Sequence, residues 1–147
     1  MGCILHISGE NLDLDQALAA VTFVPYQPYR KGDPIKRRPG EFRKDSGFKA
    51  DVSNADFHEL PKQFAEAESF LQKHFNELLS LEGVEYCNLD FGYNCRLYTG
   101  ENSGMITVQC DDIPASLIRL CGALSIGISL TLFPSDENPA GPHRGIY

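Results

Sequence analysis

The chain has 147 residues, of which 42% are hydrophobic and 22% charged, and its formal net charge is −7. That size and composition are typical of one globular domain and exclude fibrous and intrinsically disordered proteins. The charge is unevenly placed: residues 30–44 carry seven basic and two acidic residues, a balance of +5, whereas the rest of the chain has a balance of −12. Faces of opposite charge steer partners more readily than they perform chemistry.

Neither a membrane span nor a disulfide framework is predicted. No apolar run approaches the ~20 residues that cross a bilayer, and the first residues lack the basic-then-apolar pattern of a signal peptide. The five cysteines are odd in number and have no short paired spacing, which favours reduced thiols. We therefore expect a cytoplasmic protein with no membrane partner, and leave open whether Cys87 and Cys95 face each other across a hairpin.

The first third of the chain predicts short elements around the basic stretch. A strand at 3–8 precedes a helix at 14–21, which begins with a capping-box pattern. Residues 24–29 contain two prolines and can form only an edge strand or an extended loop, because proline donates no hydrogen bond to a ladder. Residues 30–44 combine like charges with turn residues, which is typical of a solvated, mobile loop. Alternating apolar and polar residues at 48–53 predict a half-buried strand.

The strongest periodicity of the chain is helical. Apolar side chains recur at helical spacing between residues 60 and 79. We predict one helix over 61–82 that buries Phe64, Leu71 and Phe75 against a sheet.

The C-terminal half predicts further strands and one more helix. Strands are expected at 84–91 and 105–110. The helix that follows has Asp112 as its cap and Gly127 as its stop, and a last strand covers 128–133.

The order of these elements, β-α-β-α-β-β-α-β, decides the fold class. It predicts an α+β fold with a mostly antiparallel sheet and helices packed on one face, a two-layer sandwich that is ferredoxin-like in character. We expect a single domain at 1–133, with the basic loop 30–44 inside it. A Pro/Gly-rich tail at 134–147 is expected to lie on the surface or to be disordered.

Motifs that would indicate catalysis are missing. Asp90-Phe91-Gly92 spells the metal-binding triplet of protein kinases, but the other kinase segments are absent. The four histidines lack the i, i+4 spacing of a helical zinc pair, and no cysteine has a nucleophile signature around it. We predict no catalytic residue, no metal ligand and no cofactor.

Two polar regions are candidate binding surfaces, and the first is on the sheet. Asp51 on one predicted strand, and Tyr86, Asn88 and Asp90 on another, point away from the apolar faces. If helices cover the apolar faces, these four side chains share the open face of the sheet. That face is either simply solvated or a docking surface whose acids pair with basic groups of a partner.

The second candidate is the basic stretch, in which Arg37 and Arg38 are adjacent. As a nucleic-acid site it is opposed by the net charge of −7, which repels a polyanion. It is otherwise a solvated loop or a loop that contacts a partner protein. We therefore expect no nucleic acid as a partner.

The chain as a whole resembles a family of small, mostly uncharacterised bacterial α+β proteins, some of which are similar to toxin-neutralising immunity proteins. The resemblance spans residues 3–134 and includes the long helix. Its segments are LHISGE at 5–10, LDLD at 12–15, YRKGDP at 29–34, SGF at 46–48, DVSNA at 51–55, GVE at 83–85, LDFG at 89–92, IPASLIRL at 113–120, GI at 127–128 and LTLFP at 130–134.

The resemblance implies a fold and a class of function. Together with the acidic body, it favours a cytoplasmic immunity protein that binds and neutralises a cognate bacterial toxin by surface complementarity, without turnover. The expected contacts are Asp51, Tyr86, Asn88 and Asp90 on the sheet, with Arg37 and Arg38 in the loop. The alternative is a small enzyme or small-molecule-binding domain with its site on the open sheet face. The sequence does not indicate an oligomeric state.

Overall fold

The computed structural model describes residues 2–94 and 110–133. The described residues form five strands, β1 (Cys3–Gly9), β2 (Pro25–Tyr29), β3 (Ser46–Ser53), β4 (Tyr86–Asn94) and β5 (Gly127–Phe133). They also form four helices, α1 (Leu14–Ala20), α2 (Leu60–Lys73), α3 (Phe75–Leu79) and α4 (Ala115–Ala123). The predicted strand at 105–110, apart from Cys110, and the predicted tail at 134–147 lie outside the described residues.

The strands form one mixed sheet in the order β2-β3-β1-β4-β5. The central strand β1 pairs antiparallel with β3 and with β4, and β2 pairs antiparallel with β3 at one edge. The pairing of β4 with β5 is parallel, and the crossover between them contains α4. The predicted α+β fold with a mostly antiparallel sheet is confirmed.

The hydrophobic core lies between one face of the sheet and the helices. In β1 the buried Leu5 is flanked by the partly exposed Ile4 and His6, as the two-residue period of a strand requires. Phe64 of α2 packs edge to face on Phe91 of β4, with ring centroids 4.9 Å apart. The face that carries Ile4 and His6 is therefore the open face. No helix among the described residues has the length and apolarity needed to cross a membrane.

The long predicted helix is divided at His74. Helix α2 ends at Lys73 and α3 begins at Phe75, and His74 between them has φ −105° and ψ 16°. The buried ring of His74 packs on Phe23 and Phe70, with centroid distances of 5.2 and 4.7 Å. Apolar residues keep their helical spacing across the break, so periodicity alone does not reveal it.

The break changes which residues are buried. Phe64 and Leu71, both on α2, are 3% and 0% exposed, as predicted. Phe75, at the start of α3, is only partly buried, and no residue of α3 reaches full burial. The predicted burial of Phe75 in the core is therefore wrong.

Helix α4 begins and ends at other residues than predicted. Its N-cap is Pro114, without a side-chain cap hydrogen bond, so Asp112 is not its cap. At its end Ser125 has a φ of +56°, and the N–H of Ile126 donates to the carbonyl oxygen of Cys121 at 2.8 Å. This is a Schellman motif, which here ends the helix with a serine in the left-handed position. Gly127 is instead the first residue of β5.

Candidate functional site

The four predicted sheet residues all lie on the open face. Asp51 of β3 and Asp90 of β4 are both register partners of Ile4, one on each side of β1. Asn88 and Tyr86 follow at alternate positions of β4, on the same face as Asp90. Asp51 is exposed, so its carboxylate faces solvent.

Two of these four side chains are already engaged inside the sheet. Asn88 is 7% exposed, and its Nδ2 donates to Oγ of Ser129 at 3.0 Å. The hydroxyl of Thr131 donates to Oδ1 of Asp90 at 2.7 Å. Both interactions join β4 to β5, which limits what Asn88 and Asp90 can offer a partner.

The basic loop, residues 30–44, has the backbone of a hairpin, which the sequence did not predict. The N–H of Gly32 donates to the carbonyl oxygen of Arg43 at 2.9 Å, and the N–H of Ile35 donates to that of Glu41 at 3.0 Å. An isolated antiparallel bridge lies between these two bonds. The loop therefore has a hydrogen-bonded backbone, while most of its residues are exposed to solvent as predicted.

Ion pairs hold the base of the basic loop to the rest of the domain. The guanidinium of Arg30 lies 2.7 Å from Oδ1 of Asp15 in α1, and Nζ of Lys31 lies 2.8 Å from Oε1 of Glu10 after β1. The N–H of Lys31 also donates to Oγ of Ser46 at 2.9 Å. Exposed pairs of this kind contribute little to stability but fix orientation.

A cleft of about 920 Å³ opens between the basic loop and the open sheet face. The residues that line the cleft come from β1, β2, β3, β4 and the loop: His6, Ile7, Ser8, Gln27, Pro28, Tyr29, Asp33, Pro34, Ile35, Lys36, Arg37, Arg43, Phe48, Lys49 and Tyr86. Of the predicted contact residues, Arg37 and Tyr86 line it, and Tyr86 is 54% exposed. Arg38 does not line it and pairs with Glu41 at 3.4 Å, while Asp51, Asn88 and Asp90 lie beyond it on the same face.

The cleft is cationic. Lys36, Arg37 and Arg43 of the loop and Lys49 of β3 line it, against Asp33 as the one carboxylate among the described lining residues. None of these four cations is in an ion pair with another described residue. The guanidinium of Arg43 instead stacks 4.2 Å above a tyrosine ring of β2. Unpaired charges in a concave site focus the electrostatic potential inside it.

His6 lies on the floor of the cleft, next to Lys49 in the strand register. Burial, and then the charge of Lys49, hold the pKa of His6 below its ordinary value of 6.5, although the charge of Asp90 acts in the opposite direction. The imidazole is therefore neutral at neutral pH. It offers the cleft one hydrogen-bond donor and one acceptor.

Gln27 gives the β2 wall of the cleft an unusual backbone. Its φ is +48°, in the left-handed region that non-glycine residues avoid. It lies at the register shift between Tyr26 and Tyr29, where β2 departs from regular pairing with β3. Strain of this kind is concentrated at functional sites.

Sequence reasoning missed most of the cleft. Strand alternation carries enough signal to place His6, Ser8 and Lys49 on the same face as Tyr86. The sequence pattern does not show that the loop folds back over that face. Ion pairs with Asp15 and Glu10 lie at the base of the loop.

Three of the four described thiols, those of Cys3, Cys87 and Cys121, have raised pKa values. Burial raises the pKa of Cys87 to about 12 and that of Cys121 to about 11, and it raises the pKa of Cys3 as well. All three thiols stay protonated at neutral pH, and a protonated thiol is a poor nucleophile. Within residues 2–94 and 110–133, no group of three or more His, Cys, Asp or Glu side chains is arranged to hold a metal ion. Cys95 lies outside the described residues.

Comparison of the chain with known protein families, with curated proteins and with solved structures found no match.

Proposed function

We propose that this chain is a non-catalytic binding protein that holds a partner protein against the cleft between the basic loop and the open sheet face. The observation that carries the proposal is the set of four cations that line this cleft and form no ion pair with another described residue. Of the classes of binding protein, the resemblance in the sequence favours a cytoplasmic immunity protein that neutralises a cognate bacterial toxin.

The composition of the cleft supports recognition of a protein. Tyrosine and arginine dominate the residues that carry binding energy in protein interfaces, and the cleft has both, with Tyr86 largely exposed at its wall. The hairpin of the loop is already hydrogen-bonded, so little backbone conformational entropy is lost when a partner binds.

A small-molecule-binding domain or small enzyme is the second candidate. One observation favours it: the cleft volume of about 920 Å³ lies within the roughly 300–1,000 Å³ of small-molecule sites. The polar groups His6, Ser8 and Gln27 converge on that space. A small ligand would bind with these groups in contact, whereas a protein partner would also cover the exposed ring of Tyr86.

The test is a titration of the product of the neighbouring gene into the purified chain by calorimetry. Truncation of a hot-spot tyrosine lowers the binding free energy by about 2 kcal/mol or more. Tyr86→Ala should therefore raise the dissociation constant by more than about tenfold. Leu79→Ala is the matched control, because Leu79 is 60% exposed on α3, away from the cleft.

Two outcomes would contradict the proposal. Equal affinity of the wild type and Tyr86→Ala for a protein partner would place the interface elsewhere. If instead a compound from a metabolite panel raises the melting temperature of the wild type, and His6→Ala removes that rise, the chain is a small-molecule-binding domain and the proposed protein-binding function is wrong. Thermal melts of each variant show that folding is intact.

A further inference from the structure

We infer that the cleft binds an acidic segment of the partner, an extended stretch whose Asp or Glu carboxylates meet Arg37, Arg43 and Lys49. The inference rests on the proposed function and adds the charge of the partner to it. The sign is opposite to the sequence-based expectation, in which the acids of the sheet face meet a basic partner.

The basic residues of the loop fall into two groups, those that form ion pairs within the domain and those that line the cleft. Arg30 and Lys31 are paired at the loop base, at 2.7 and 2.8 Å, and Arg38 is paired within the loop at 3.4 Å. The cations that line the cleft have no such partner among the described residues. Their charges are available to a ligand, and charge-assisted bonds to carboxylates are the strongest bonds that they make.

The described negative groups near the cleft are engaged in other contacts or do not line it. Asp45 acts on the hydroxyl of Tyr29 and is not among the lining residues. Oδ2 of Asp33 accepts a hydrogen bond from the N–H of Arg30 at 2.7 Å, which ties it to the loop base. Oδ1 of Asp90 accepts from Thr131 at 2.7 Å, and neither Asp90 nor Asp51 lines the cleft. Among the described lining residues, a basic segment would therefore meet like charge and no free carboxylate.

The backbone of the loop does not form a phosphate cradle. Phosphate cradles use clustered backbone N–H groups that point at the anion. In this loop the N–H groups of Gly32, Ile35, Arg38 and Arg43 donate to carbonyl oxygens of the loop itself. Recognition is left to the side chains, and because arginine pairs with carboxylate and phosphate alike, inorganic phosphate is the competing probe in the experiment below.

The lining of the cleft combines cationic and apolar side chains. Between the cations lie the apolar side chains of Pro28, Pro34 and Ile35. A bare ion would leave these surfaces in water, whereas an extended peptide covers them between its charged side chains.

The experiment measures binding of a synthetic peptide in which glutamate alternates with serine. The peptide carries an uncharged dye, and the fluorescence anisotropy of the dye reports binding. The same peptide with lysine in place of glutamate tests the sign, and inorganic phosphate tests the competing ligand chemistry. Each probe is titrated against the full chain at low and high salt. The expected result is that the glutamate peptide binds, that the lysine peptide does not, and that salt weakens the complex.

Two adjacent arginines provide the matched variants. Arg37→Gln removes one charge that lines the cleft and should weaken binding of the glutamate peptide by about fivefold. Arg38→Gln removes the same type of charge from the next residue, which does not line the cleft, and should change affinity by less than about twofold. Equal losses in the two variants would overturn the inference, because the effect would then be one of net charge.

The remaining outcomes are also decisive. Binding of the lysine peptide, or binding of phosphate with no binding of the glutamate peptide, overturns the inference. If neither peptide binds while Tyr86→Ala still releases the protein partner, the inference fails and the proposed function stands. If Tyr86→Ala leaves the partner complex unchanged, the proposed function itself has failed.

Discussion

The guanidinium of Arg30 lies 2.7 Å from the carboxylate of Asp15, so the first basic residue of the loop is held by the first turn of α1. The pair of Lys31 with Glu10 repeats this arrangement one residue later. The acidic body of the protein thus anchors the loop by its base, and the cations further along remain on the cleft side.

Loss of these anchors should loosen the loop without unfolding the domain. In the double variant Glu10→Gln, Asp15→Asn, the amides of Gly32 and Arg43 should exchange with solvent faster, because their hairpin bonds open more often. The melting temperature should barely change, since both pairs are exposed. Hydrogen exchange followed by NMR measures the first effect. Glu41→Gln, which removes only the pair inside the loop, is the control, and unchanged exchange in the double variant would show that the base is held by other contacts.

The division of the long helix predicts unequal costs of truncation along it. Leu71→Ala should lower the free energy of unfolding by about 2–5 kcal/mol, because Leu71 is fully buried and leaves a cavity. Leu79→Ala, on the exposed side of α3, should cost less than about 0.5 kcal/mol. Urea denaturation of both variants gives the comparison. A Phe75→Ala cost as large as that of Leu71→Ala would show that Phe75 is a core residue after all.

Ser125 is a site for a stabilising substitution. Its φ of +56° places a Cβ in the left-handed region, and Ser125→Gly should raise the free energy of unfolding by about 1 kcal/mol. Ser80→Gly is the matched control, because Ser80 caps α3 with a φ of −82°, where glycine relieves no strain. Thermal melts distinguish the two, and a stabilisation of equal size in both would contradict the assignment to backbone conformation.

Glu77 should make stability dependent on acidic pH. The hydroxyl of Thr22 donates to its Oε1 at 2.6 Å and the N–H of Thr22 to its Oε2 at 2.9 Å, and these bonds hold the pKa of Glu77 below its ordinary value of 4.5. Because the folded-state pKa is lower than the unfolded-state value, the stabilisation is complete above pH 4.5 and is lost as the pH falls through the folded-state pKa.

The variant Glu77→Gln tests this dependence. At neutral pH it should lower the free energy of unfolding by about 1 kcal/mol, and the difference from the wild type should shrink as the solution is acidified. Urea denaturation across the acidic range measures the difference. A difference that stays constant with pH would mean that the carboxylate charge of Glu77 has no part in the contact.

Local patterns were sufficient for most of the fold. Helical spacing placed Phe64 and Leu71 in the core, and strand alternation placed Asp51 on the same face as Asp90. The errors occur where a local rule competes with a tertiary contact. The ring of His74 packs between α2 and the segment after α1, and Pro114 takes the capping position expected for an acid.

The candidate site was only partly accessible from sequence for a different reason. Tyr86 and Arg37 were each selected on local grounds, and they line one cleft. Ion pairs also join the loop base to Asp15 and Glu10, which lie 15 and 21 residues earlier in the chain. Sequence periodicity does not reveal such pairs. The sheet face and the loop were therefore predicted as two separate surfaces, whereas in the structure they line one cleft.

The central position of β1 has a consequence for folding of the nascent chain. This strand is synthesised before every strand that pairs with it, and its two neighbours come from Ser46–Ser53 and Tyr86–Asn94. Until both have left the ribosome, β1 carries two unpaired edges and the apolar side chains of Leu5 and Ile7. Contacts of such long sequence separation form slowly. The chain is therefore most prone to aggregation while its second half is still being made, and a chaperone that binds the N-terminal strand would raise its yield.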